Sequence, residues 1–109
     1  MAMSKEVEQK ISQLQLIEQN LQNYLMQKQN LQNQLIEIES AQKELETAKK
    51  AYKIVGNIMV SSAKEDLVKD LNEKKKIVEL RIKNLEKQED KIKKKAEELK
   101  KDVLSNMKE

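Results

Sequence analysis

One glycine constrains this chain more than any other residue. Gly56 is the only glycine, and Gly56-Asn57 stands between the apolar runs Ile54-Val55 and Ile58-Met59-Val60. Gly-Asn between β-branched runs predicts a two-residue hairpin loop. Glycine at the first central position suits a type II′ turn, where a positive φ costs it least. Turning there pairs Val55 with Ile58, Ile54 with Met59, Lys53 with Val60 and Tyr52 with Ser61. Side chains alternate along a strand, so Ile54 and Met59 share one face with Tyr52, and Val55, Ile58 and Val60 share the other. Both faces are apolar and both edges open, and a lone two-stranded hairpin is marginal in water. Two readings follow: an apolar bend closing one end of a helical hairpin, or a β-element that joins its counterparts from other subunits in a shared sheet or barrel.

The flanks of the hairpin obey a seven-residue rule. Before it, one seam position reads Val7, Leu14, Leu21, Lys28, Leu35, Gln42 and the other Lys10, Ile17, Tyr24, Leu31, Ile38, Leu45. After it, the positions read Val68, Lys75, Ile82, Glu89, Ala96, Val103 and Leu71, Val78, Leu85, Ile92, Leu99, Asn106. Neither flank contains proline or glycine. Two unbroken helices of about 45 residues, roughly 65–70 Å long, are expected. If the chain folds back about Gly56-Asn57, facing residue numbers sum to 113. Leu45 then faces Val68, Leu31 faces Ile82, Leu21 faces Ile92, Ile17 faces Ala96 and Leu14 faces Leu99, while Tyr24 meets Glu89 and Lys28 meets Leu85. No layer is wholly polar. The fold class expected is therefore mainly α: a long antiparallel intrachain coiled coil of two helices joined by a β-hairpin. A single domain spans 1–109, with helical arms at 5–49 and 63–107 and the hairpin at 51–61. Ser62-Ala63-Lys64-Glu65 has the form of a capping box at the start of the second arm. The first arm has no equally clear stop between Thr47 and Ala51.

Composition narrows the function classes. With 2% aromatic and 38% charged residues, a compact globular core is not expected. The chain has no His and no Cys, so no nucleophile–base pair, soft metal site or disulfide can be nominated, and one glycine makes no phosphate loop. No enzyme activity, cofactor or ATP binding is expected. No apolar run is long enough to span a membrane and no signal peptide is visible, so the expected location is cytoplasmic. Two start methionines in Met1-Ala2-Met3-Ser4 leave open whether Met1-Ala2 is native.

Charge is uneven: residues 5–49 carry five Lys against seven acids, and residues 63–109 fifteen Lys or Arg against twelve. Pairs such as Glu65/Lys69, Asp70/Lys74, Glu79/Lys83, Asp90/Lys94 and Glu97/Lys101 have the i,i+4 spacing of a solvated helix. Nucleic-acid binding would rest on Lys91, Lys93, Lys94, Lys95, Lys100 and Lys101, but interleaved acids argue against it. Apolar residues gather at the free end of the arms, where Val7, Ile11, Leu14, Val103, Leu104 and Met107 form a candidate tip. They either close the last turns of the coil, where layers are weakest, or offer an accessible surface to extended hydrophobic segments of other proteins.

The run Ala51-Tyr52-Lys53-Ile54-Val55-Gly56-Asn57-Ile58-Met59-Val60 resembles the hairpin signature of the prefoldin β-class subunits, especially the archaeal form. Its flanks agree, with a Gln-rich first arm and a charged second arm containing Leu80-Arg81-Ile82-Lys83 and Leu85-Glu86-Lys87-Gln88-Glu89. The connection before Tyr52 is short and lacks the acidic loop of many relatives. The resemblance implies an ATP-independent holdase chaperone. In that family the hairpin, here Tyr52, Ile54, Val55, Gly56, Asn57, Ile58, Met59 and Val60, builds a double β-barrel from two α-class and four β-class subunits. It further implies arm tips that hold unfolded client proteins and pass them to a group II chaperonin. The alternative is a coiled-coil scaffold or spacer whose hairpin only sets the oligomeric state.

Overall fold

The structure is a computed structural model that describes residues 4–107, so Met1-Ala2 lies outside the described residues. Four elements follow in order: α1 (Lys5–Thr47), β1 (Ala51–Val55), β2 (Ile58–Ser62) and α2 (Lys64–Met107). The expected mainly helical architecture with a central hairpin is the one observed. Its strands pair antiparallel with Val55 opposite Ile58, Ile54 opposite Met59, Lys53 opposite Val60 and Tyr52 opposite Ser61, and one further pair joins Ala51 to Ser62. Gly56 has φ +62°, and no other described residue has a positive φ. A type I′ turn would need positive φ at Asn57 as well, so the turn is type II′. Nothing lies within 4 Å of a Cβ added at Gly56; its backbone angle, not crowding, is what requires glycine.

Two boundaries differ from expectation. α1 ends at Thr47 rather than at residue 49, without a glycine or proline to stop it. The last carbonyls of a helix lack internal partners, and here the Lys64 ammonium donates to the Glu46 carbonyl at 3.2 Å. α1 has no basic residue in its own last turn, so the first residue of α2 supplies the cation that its carboxyl end favours. At the other boundary Ser62 remains in the strand ladder. The Ala63 carbonyl takes the first helical bond, from the Leu67 N–H at 3.2 Å, and α2 begins at Lys64. The strand thus holds the serine that the expected capping box needed.

The chain divides into two compact units: residues up to Lys28 with those from Lys83 onward, and residues Gln29–Ile82. In the first unit, Ile17, Ala96 and Leu99 form a buried cluster, with Leu14, Leu21 and Ile92 packed against it. These six are the residues expected in three facing layers, and each buried leucine or isoleucine contributes about 1.5–3 kcal/mol. Val7 and Val103 are also buried in this unit. The Gln29–Ile82 unit is looser. Val78 is its buried apolar residue, while Val68, a seam position, stays exposed. Gln42 donates to Asn72 at 2.8 Å across the helices, and Glu39 meets Lys75 at 3.9 Å. Both bonds bridge residues placed within one turn of each other by the fold-back about Gly56-Asn57.

Candidate assembly hairpin and free-end surface

Among the described residues, the hairpin gathers exposed large apolar side chains on both of its faces. Ile54 is 70% exposed and Ile58 67%, although they lie on opposite faces. Tyr52, Val55, Met59 and Val60 are exposed as well. Alternation along two short strands produces this two-sided surface, and no other part of the Gln29–Ile82 unit covers it. The hairpin is nevertheless tied to its own helices. Lys53 reaches Asp70 at 3.9 Å, and Tyr52 lines a cavity of about 500 Å³ with Ala41, Leu45, Ala48, Leu67 and Leu71.

At the free end the six candidate residues separate by heptad position. Val7 and Val103 are buried, and Ile11 and Leu14 are half-buried. Only Leu104, at 60%, and Met107, at 61%, are freely exposed. The end is also capped: Ser4 Oγ accepts from the Val7 N–H at 3.2 Å, and the Ser4 carbonyl accepts from the Glu8 N–H at 3.0 Å. A serine at this position is worth about 1 kcal/mol over alanine. The weakest layers were expected here, whereas a cap and two buried valines close it.

One polar site escaped sequence reasoning. Glu89 is 7% exposed, and Lys28 Nζ lies 2.9 Å from its Oε1. At this distance the two form a close ionic contact, although Oε1 has no well-aligned donor. Lys93 flanks the other oxygen at 3.8 Å. The Lys28 ammonium is held above its ordinary value, first by its side-chain contact with Glu89, against the opposing cost of desolvation. The signal was present, since Lys28 and Glu89 sit in adjacent expected layers, but strict facing assigned Glu89 to Tyr24. The five surface pairs expected on α2 do not close to ion-pair distance among the described residues, where the i,i+4 pairs are Glu6–Lys10 and Glu89–Lys93. Exposed pairs of long side chains lose as much entropy as they gain in attraction.

Two long helices joined by an exposed apolar β-hairpin define a class of helical-hairpin proteins. The chain belongs to the prefoldin subunit family, whose pattern matches residues 8–109. It is 56% identical over 41 residues to the prefoldin subunit beta of Archaeoglobus fulgidus, across 38% of this chain and 35% of that one. It is 44% identical over 52 residues to the prefoldin subunit beta of Sulfurisphaera tokodaii, across 48% and 42%. These matches thus span well under half the length of either relative. The crystal structure of the prefoldin beta subunit from Thermococcus strain KS-1 superposes with a TM-score of 0.89 at 34% identity, covering 95% of this chain and 94% of that one. The resemblance to archaeal β-class subunits read from the hairpin is therefore upheld. No helix among the described residues is long and apolar enough to cross a membrane.

Proposed function

We propose that this chain is a β-class subunit of a prefoldin-type holdase, acting without ATP in the cytoplasm. The observation that carries the reading is the hairpin, apolar and exposed on both faces, within a fold shared with a prefoldin beta subunit. Its exposed side chains are buried when hairpins from several subunits combine in a shared β-barrel. The partner is an α-class subunit, in a hetero-hexamer of two α and four β chains. The arms then present their free ends to unfolded clients, which pass to a group II chaperonin. Within the free end, Leu104 and Met107 offer the contact surface; Val7 and Val103 hold the coil closed, with Ile11 and Leu14 between these roles. Met107 suits many client sequences because its side chain is flexible and polarizable.

A spacer protein would share the hairpin but would not depend on apolar residues outside the seam. Replacing Leu104 and Met107 with Ser in the complex with an α-class subunit tests the distinction. The expected result is a native mass and thermal midpoint with reduced suppression of aggregation of a denatured enzyme. Undiminished suppression would remove the free-end surface from the mechanism and favour the spacer.

A further inference from the structure

Three lysines occupy seam positions, and each is answered by an acid on the opposite helix. In the free-end unit Lys10 meets Asp102 at 3.5 Å and Lys28 meets Glu89 at 2.9 Å. In the hairpin unit Lys75 meets Glu39 at 3.9 Å. Among the described residues Glu89 is the buried charged side chain. Stability does not account for it, because a well-packed apolar pair at such a site is usually as stable as an ion pair or more so. What an ion pair adds is discrimination. With apolar residues at most other seam positions, either helix would also pair in parallel with its own copy. Such pairing sets Lys10 and Lys28 of α1 against themselves, or Lys75 and Glu89 of α2 against themselves. Every charged position of the seam then opposes its own like charge, and Glu89 loses Lys28 and keeps only Lys93 of its own helix.

We propose that the Lys28–Glu89 pair is a pairing code: it directs α1 to the antiparallel α2 and rejects parallel pairing of like helices. The need is greatest where arms are tethered side by side. Several arms held on one base see each other at effective concentrations on the order of millimolar, enough to populate pairings that are negligible for free chains. A slipped or exchanged arm would also bring its free end to the wrong level. The same logic places single polar residues in other coiled coils, where they fix partner and orientation at some cost in stability.

The chain has no cysteine, so thiol crosslinking reads the pairing directly. In full-length chains, Leu21→Cys alone reports parallel α1–α1 pairs through 21–21 crosslinks between chains, and Leu21→Cys with Ile92→Cys reports the intrachain coil. Into each background go two sets of substitutions. The apolar set, Lys28→Leu with Glu89→Leu, is expected to keep or raise the thermal midpoint while raising the interchain 21–21 yield at least about threefold. The exchanged set, Lys28→Glu with Glu89→Lys and Lys93→Glu, carries Glu86→Gln and Asp90→Asn as well, since both acids attract Lys28 in the parent; it preserves the complementarity and is expected to reproduce the parent pattern. An unchanged 21–21 yield in the apolar set would overturn the proposal. So would a large fall in its thermal midpoint, which would make the pair a stabilising contact. Failure of the exchanged set to match the parent, while it remains helical, would overturn it too.

Discussion

Ile54→Lys with Ile58→Lys should dissolve the proposed assembly and leave the chain's own fold intact. Full burial of an isoleucine is worth about 1.5–3 kcal/mol, and these two retain 70% and 67% of their exposure within the chain. About two-thirds of that value is therefore still to be gained by contact with other hairpins, or about 2–4 kcal/mol for the pair. At about 1.4 kcal/mol per factor of ten, the association constant per hairpin falls roughly 30- to 1,000-fold. Lysine adds the cost of burying an unpaired charge on each face, which moves the effect toward the upper end. Because both side chains are already solvated in the single chain, its helix content should scarcely change. Light scattering across a dilution series, with circular dichroism on the same samples, reads both quantities. Ile36→Lys is the control, since Ile36 is exposed on α1 away from the hairpin and should leave the mass unaltered. A native mass for the double variant, or equal dissociation of the control, would refute assembly through the hairpin.

Gly56→Ala places a side chain at φ +62° with open space around it, so its cost is conformational, about 1–3 kcal/mol, read as a lower thermal midpoint. Leu99→Ala removes a member of the buried free-end cluster and should cost about 2–3 kcal/mol, the low side of the core range because the seam is open at its flanks; the denaturant midpoint should fall with an unchanged slope. For pH, the Lys28 value is raised above 10.5 in the folded chain, so its contribution is complete below 10.5 and disappears as pH climbs through the folded value. The stability gap between the parent and Lys28→Gln should therefore be flat from neutral pH to about 10 and narrow above that.

Elements with a local cause were legible in the sequence. The turn needed only Gly56 and its neighbours, and strand pairing followed residue by residue from its centre. The seam needed only a period of seven, which identified Ile17, Ala96, Leu99, Val78, Val7 and Val103, all buried. Features with a tertiary cause were not. The end of α1 is met by Lys64, which is distant in sequence and donates to the Glu46 carbonyl. Ser62 satisfies a local capping pattern but is claimed by the strand opposite Ala51. Ser4, a real cap, precedes Val7 rather than the glutamate that would have completed the capping box, so the pattern passed over it. Facing arithmetic treats a layer as flat, whereas Lys28 is long enough to leave Leu85 and reach Glu89 one turn away.

The free end shows how seam and surface compete for the same side chains. Val7, Leu14 and Val103 satisfy the heptad and also gather at the tip, but in a closed coil a residue packed in the seam cannot also meet a client. Leu104 and Met107 remain, each about three-fifths exposed. At about 1.5–3 kcal/mol for a fully buried side chain, the two together can gain about 2–4 kcal/mol from a client segment. A dissociation constant of 1 mM corresponds to about 4 kcal/mol, before any cost of ordering the client. On the proposed reading, one arm alone would hold an unfolded segment at millimolar strength at best. Useful retention requires several ends acting on one client, where tethering raises the effective concentration for each further contact. In the proposed assembly the hairpin tethers them. Client holding should consequently be lost when the hairpin is disrupted, even though every residue of the free end is unchanged, and a client long enough to reach two ends should be held far better than a short peptide.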